Sequence, residues 1–257
     1  MNRTFLLTRK KSGERSPLFI PQWFRRRIEP DTFAIYDFVK QAAKLLAPGS
    51  RVLDAGAGQG RFKPEFLHTR YVGVDLAVGD PTWDYSNLDA ICDLQHLPFS
   101  SGVFNAILCI QVLEHIQNPL DVLRELERVL QPDGLLFLSV PQSWPQHQKP
   151  FDFYRYTSFG LRYLLEKAGF YICSIKPIGG YFWFLSFQLQ NINYWIFPKD
   201  QDTKDKKQLL TWPIRALLSM LFQIILPIAL YHLDKLDRIR DETIGYLCIA
   251  CKPSHAL

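Results

Sequence analysis

A row of alternating glycines behind an acid is the part of this chain most clearly built to meet a ligand. In Arg51-Val52-Leu53-Asp54-Ala55-Gly56-Ala57-Gly58-Gln59-Gly60, a short apolar run ends in a carboxylate and opens into three glycines. Such a run delivers a buried strand into a tight turn. Glycine tolerates positive φ there and has no side chain to block approach to the backbone. Strand, Gly-rich turn and helix together make the nucleotide-binding entrance of a doubly wound α/β domain. Alone, Gly-x-Gly-x-Gly suits a dinucleotide, S-adenosylmethionine, or a tight connection with no ligand. Asp75 closes the apolar run Tyr71-Val72-Gly73-Val74 about 20 residues beyond Asp54, the spacing of a carboxylate that receives ribose hydroxyls. A second reactive set lies in Pro141 to Thr157. His147 is the side chain best suited to take a proton near neutral pH. Asp152 can orient that imidazole or the substrate, and Arg155 offers a planar fork for a carboxylate or phosphate. Tyr154 and Tyr156 can pack on a sugar or aromatic ring. The plainer alternative is an aromatic lid in which Asp152 and Arg155 pair with each other.

The elements that must position these groups are legible in the pattern. A helix is expected over Asp31 to Leu46, with Ile35, Phe38, Ala42, Leu45 and Leu46 on its apolar side, Asp31 as N-cap and Pro48-Gly49 as stop. After the first two strands, a short apolar segment leads into Cys92-Asp93-Leu94. The fourth strand, Phe104 to Ile110, runs into Gln111-Val112-Leu113-Glu114-His115. Asn118 and Pro119 then cap a helix whose buried stripe is Leu120, Leu123, Leu126, Val129 and Leu130. Gln131-Pro132-Asp133-Gly134 breaks it before a strand from Leu135 to Val140. A helix over Thr157 to Ala168, a strand over Phe170 to Ile178 and a last strand over Gly245 to Cys251 complete the order.

Five segments in this order resemble the class I S-adenosylmethionine-dependent methyltransferases, in the branch of quinone-biosynthesis and small-molecule enzymes. They are VLDAGAGQG, YVGVDL, CDLQHLPF, FNAILCIQVLEHI and RELERVLQPDGLLFLSVP, between about positions 50 and 141. The resemblance implies a doubly wound seven-stranded α/β sheet and S-adenosylmethionine as cofactor. It places Gly56, Gly58 and Gly60 against the methionine portion, with Asp54 bracing the turn. Asp75 with Leu76 would take the ribose, Asp93 the adenine amine, Leu94 the ring face, and Gln111 the methionine moiety. The segment His147 to Thr157 is similar to a His-x-x-Pro-Phe-Asp-Phe-Tyr-Arg-Tyr-Thr element of the same branch. His115, in the family's Glu-His pair, stands behind His147 and Asp152 as a catalytic candidate.

About 65 residues, Gly179 to Ile244, separate the last two strands, where connections in compact domains usually take ~2–6. The chain therefore divides into a basic N-terminal segment (1–30), a methyltransferase core (31–178), an apolar helical insertion (179–244), and a final strand with its tail (245–257). Two apolar stretches of the insertion, Tyr181 to Phe197 and Ala216 to Tyr231, flank the charged run Lys199 to Lys207. Each falls short of the ~20 uninterrupted apolar residues of a spanning helix. Their aromatic and lysine content predicts an interfacial hairpin on one leaflet through 181–231. A lid or a homodimer interface is the competing expectation.

Five cysteines, odd in number and mostly within apolar strands, read as buried hydrophobes of a reducing compartment. No secretory signal is seen, so the expected place is cytoplasmic, peripheral at the membrane face. No histidine spacing predicts a metal. A net charge of +5 with no basic recognition domain disfavours nucleic acid. The expected activity is O- or N-methylation of a small or lipid-linked acceptor of sugar or glycan type. The alternatives are a quinone-type acceptor, a non-catalytic S-adenosylmethionine-binding scaffold, and an NAD(P)-dependent oxidoreductase.

Overall fold

The computed structural model describes residues 21–79, 82–192, 213–214 and 216–254. They fall into two compact units. One holds Ile35–Lys176 and Gly245–Leu257, the other Ile20–Ala34 and Pro177–Ile244.

The first unit is built on one seven-stranded sheet. Its strands are β1 (Arg51–Ala55), β2 (Arg70–Asp75), β3 (Ala90–Ile91), β4 (Phe104–Ile110), β5 (Leu130–Pro141), β6 (Tyr171–Pro177) and β7 (Gly245–Cys251), in the order β3-β2-β1-β4-β5-β7-β6. β1 to β5 pair in parallel, and β7 runs antiparallel to β5. The sheet is covered on both faces, so its central strands are continuously apolar. Alternation sorts their side chains into two cores. Val52, Ala106, Leu108, Ile110 and Phe137 face α2 (Pro30–Leu45) through Phe38, Val39 and Ala42. Leu53, Ala55, Ile107, Cys109, Leu136 and Leu138 meet α3 (Pro119–Val129) and α4 (Ser158–Lys167) through Val122, Leu123, Leu126, Leu161 and Leu165.

Several expectations needed correction. The chain after the glycine turn forms no α-helix, only a 3-10 turn at Lys63–Phe66. Gly60 and Pro64 interrupt a connection too short for more. α2 starts at Pro30, so Asp31 lies buried in its first turn and is not the cap. Asn118 sits at the start of α3 without making a side-chain cap bond, whereas the Thr157 hydroxyl accepts from Gly160 N at 3.1 Å. The strand expected from Leu135 already begins at Leu130, which belongs to β5 and not to the helix; Asp133, at φ 60°, and Gly134 form an irregularity within it, where the register with β4 shifts.

The second unit is helical. The basic N-terminal segment includes α1 (Gln22–Ile28), where Arg25 is buried and paired with Glu29 at 2.8 Å. α5 (Tyr181–Gln190) and α6 (Ala216–Leu236) belong to the insertion. Asp234, at the end of α6, fastens α5: its carboxylate accepts from Gly180 N and Trp183 N, each at 3.0 Å. Trp183 stacks on Tyr231 with centroids 5.6 Å apart. α6 is long and apolar enough to cross a membrane, with a mean hydropathy of 1.9 and 11% of that window buried. The charged run Lys199 to Lys207 lies outside the described residues.

Candidate functional site

Gly56, Gly58 and Gly60 all adopt left-handed backbone, at φ 84°, 55° and 70°. A Cβ on Gly56 would stand 2.4 Å from Val112 Cγ2, so packing as well as φ demands glycine there. The N–H groups of Gly56 and Ala57 both donate to Val74 O at 2.9 Å, binding the turn to β2. Asp75 completes the tie: Oδ2 accepts from Gly58 N at 2.9 Å and Oδ1 from Ala77 N at 2.8 Å. Each oxygen keeps a second lone pair, so the carboxylate braces the turn and can still accept from a ribose.

Asp54 is 1% exposed, and the Tyr71 hydroxyl donates to its Oδ2. Burial pushes its carboxyl up to about 6, against the lowering effect of the Tyr71 bond and of the Arg61 charge. Its charge thus acts on the turn from beneath. Trp83 lies beside Gly58 and packs on Tyr85, whose hydroxyl accepts from Gly79 N at 3.0 Å. Sequence reasoning singled out none of Tyr71, Arg61, Trp83 and Tyr85. Arg61 follows Gly60 directly, whereas only the fold brings Tyr71 to Asp54 and Trp83 to Gly58.

The remaining expected cofactor residues spread along the carboxyl edge of the sheet. Leu76 is 49% exposed, whereas Leu94 is packed in the core. Asp93 accepts from Gln95 N at 2.9 Å. Gln111 takes left-handed backbone at φ 56° and donates from Nε2 to the buried Ser139 hydroxyl at 2.8 Å. A non-glycine residue in that region at a strand end marks a place where the surroundings hold strain.

Past β4 and β5, two segments interlock. Glu114 O accepts from Phe153 N at 2.8 Å and from Tyr154 N at 3.2 Å. This brings His115 and His147 together, rings edge to face with centroids 4.7 Å apart. His115 Nδ1 lies 2.5 Å from Phe151 O. His147 Nδ1 lies 3.1 Å from Pro145 O and 3.5 Å from Asp152 Oδ2. Burial lowers both imidazoles below their ordinary value, outweighing the carbonyl contacts that raise them. Burial would raise Asp152, yet its bonds from Arg155 and from His147 N bring it down to about 2. The guanidinium grips Asp152 in a fork, at 2.7 and 2.8 Å. It also donates to the carbonyls of Trp144, Pro145 and Tyr154. Arg155 is thus occupied inside its own segment, as the lid alternative anticipated. Tyr156 is buried and donates to Leu113 O at 2.8 Å, and Tyr154 donates to Gln117 O at 2.8 Å. Phe151, Phe153 and Tyr154 remain about 40% exposed beside the imidazoles.

Sequence reasoning passed over Glu114. It is fully buried, and burial drives its carboxyl up to about 8. Among the described residues, neither of its oxygens has a hydrogen-bond partner, nor does His115 Nε2. An acid directly after the apolar strand β4, between Leu113 and a histidine, was the available signal.

Strand order, glycine turn and the acids at the ends of β1 and β2 define a class I methyltransferase fold. The family model described as "Methyltransferase domain" matches residues 24–175, more than half of the chain. The chain belongs to this family, and its cofactor is S-adenosylmethionine. The ubiquinone biosynthesis O-methyltransferase of Xanthomonas campestris pv. campestris (strain B100) is 31% identical over 118 residues, 40% of this chain and 48% of that protein. The chain spans about half the length of the curated relatives it matches. Among solved structures, the (4+2)-cyclase SpnF is similar with a TM-score of 0.53 and 19% identity, over 88% of this chain and 82% of that one. A Galdieria sulphuraria protein described as a sarcosine dimethylglycine methyltransferase also gives 0.53, with 16% identity, over 89% and 86%. At these identities the structures establish the fold alone. The 3-10 turn behind the glycines offers no helix N-terminus for a pyrophosphate, which argues against a dinucleotide.

Proposed function

We propose that the protein transfers the methyl group of S-adenosylmethionine to an oxygen or nitrogen of a small or lipid-linked acceptor of sugar or glycan type. The observation that carries the reading is the pair His115 and His147, which the fold sets at the carboxyl edge of the sheet, where α/β ligands bind. The acceptor lone pair forms the new bond to the methyl carbon as the carbon–sulfur bond breaks, leaving S-adenosylhomocysteine. The acceptor proton passes to His147 Nε2, since Nδ1 faces Pro145 O and Asp152. Asp152 positions this ring and is itself held by Arg155. Because the donor is already activated, the site's main work is orientation and exclusion of water.

Proximity to a membrane is supported by α6, whose exposed residues include Leu217, Met220, Ile224, Ile225, Leu233 and Leu236. Its place would be the cytoplasmic face, with the apolar surface in the leaflet. A second reading, methylation of a quinone precursor, is favoured by the ubiquinone O-methyltransferase relatives; there the same base would ionise a phenol.

Mass spectrometry of cell extracts with and without the protein tests the reading. A metabolite heavier by one methyl group, absent with His147→Ala, is expected. Tight S-adenosylhomocysteine binding with no such product would point to a non-catalytic scaffold.

A further inference from the structure

Among the described residues, three side chains able to ligate a metal converge beside the β4 exit. Glu114 is fully buried, and neither of its carboxyl oxygens has a partner among the described residues. His115 turns Nδ1 to Phe151 O and leaves Nε2 buried and unpartnered, 3.9 Å from Glu114 Oε1. His147 turns Nδ1 to Pro145 O, with Asp152 behind it, and so presents Nε2 as a lone pair. One ligand atom from each of the three lies within 4.8 Å of the others. Arg155, the nearby cation, is taken up by Asp152 and three carbonyls. Burial favours the neutral acid, so a cation that displaced the Glu114 proton would satisfy both oxygens.

We propose that Glu114, His115 and His147 bind one divalent transition-metal ion of the zinc class, with the fourth position left for the acceptor. Two imidazoles and a carboxylate are the donor set of open, catalytic zinc sites. Hard ions such as magnesium and calcium prefer oxygen throughout. The second layer is in place: a ligating imidazole is fixed by a carbonyl or carboxylate on its other nitrogen, which both rings have. Ligand atoms around a tetrahedral zinc ion stand roughly 3.4 Å apart, so donors now within 4.8 Å of one another would close by up to roughly 1.4 Å. The sequence shows no metal spacing, because Glu114 and His115 are neighbours and His147 arrives from beyond β5. Binding of the ion does not depend on methyl transfer. Its role does rest on that reading: bound, it would lower the proton affinity of an acceptor hydroxyl at the open position, whose proton would pass to solvent water because His147 would be a ligand. Without the ion, His147 takes the proton.

Metal-stripped full-length protein should be titrated with Co2+ by absorption spectroscopy, and with Zn2+ by competition. S-adenosylhomocysteine is titrated into the same samples. One ion per chain is expected, with affinity falling at least ~10-fold in both His147→Ala and Glu114→Gln while S-adenosylhomocysteine still binds. His147 is about one-third exposed on a loop, so its removal leaves the core intact. Absence of stoichiometric Co2+ binding, or wild-type affinity in either variant, overturns the proposal. Failure of S-adenosylhomocysteine to bind the wild type would instead strike the methyltransferase reading.

Discussion

Asp54→Asn should make the ligand-free protein more stable at neutral pH and a poorer binder of its cofactor. The carboxylate lies 1% exposed, with the Tyr71 hydroxyl as its side-chain partner, and burial raises it from 3.8 to about 6. At 1.36 kcal/mol for each tenfold change in proton affinity, this corresponds to about 3 kcal/mol held against the ionised form. The sign comes from linkage. Below about 4 the acid is protonated whether folded or unfolded, and no penalty exists. Between about 4 and 6 the unfolded chain ionises while the fold keeps its proton, so stability falls as pH rises, and above about 6 the loss is complete. Asparagine keeps an acceptor for Tyr71 but forfeits the attraction to Arg61, so a net gain of about 1–3 kcal/mol is expected. For a chain of this size a gain of 2 kcal/mol raises Tm by roughly 4–8 °C. Thermal melts of both proteins from pH 4 to 7.5, without ligand, give the difference curve. A flat curve, or a variant less stable at pH 7.5, refutes the desolvation argument. Calorimetry should show weaker S-adenosylmethionine binding, because the variant removes a negative charge beneath a turn that receives a sulfonium.

Gly56→Ala forces a Cβ to 2.4 Å from Val112 at φ 84°. Loss of measurable S-adenosylhomocysteine binding is expected, with destabilisation of about 2 kcal/mol or more in denaturant titration; wild-type behaviour would mean that Val112 yields freely. Asp75→Ala releases the N–H groups of Gly58 and Ala77 together with the ribose contact, so calorimetry should find at least ~10-fold weaker binding; unchanged affinity would put the ribose elsewhere. Leu217→Asp with Ile224→Asp and Ile225→Asp should abolish co-sedimentation with anionic vesicles while leaving S-adenosylhomocysteine affinity intact. A wild-type protein that never sediments with vesicles removes the membrane reading.

How much was legible depends on the reach of each signal. β7 was expected over Gly245 to Cys251 and lies there, because a seven-residue apolar run between polar segments has few other solutions. The α-helix expected behind the glycines failed to form, since Gly60 and Pro64 break the connection, and similarity to a motif says little about the length of the segment downstream of it. Arg155 was readable as an anion fork or as a partner for Asp152, and in the fold it makes two bonds to Asp152 and three to backbone carbonyls.

From sequence alone came the α/β class and the glycine turn with Asp54 and Asp75, and the resemblance of its ordered motifs added S-adenosylmethionine as the ligand. These are written in local runs where apolar period, acid and glycine fall within a few residues of one another. The tertiary structure decided what those groups touch. Asp75 proved to hold the turn's own N–H groups, and Tyr71 proved to be the partner of Asp54. Above all, Glu114, His115 and His147 became one cluster only when the segment after β5 folded back onto the end of β4. Proximity between distant segments is set by the closing of the sheet and the packing of its edges, which residue spacing along the chain does not encode.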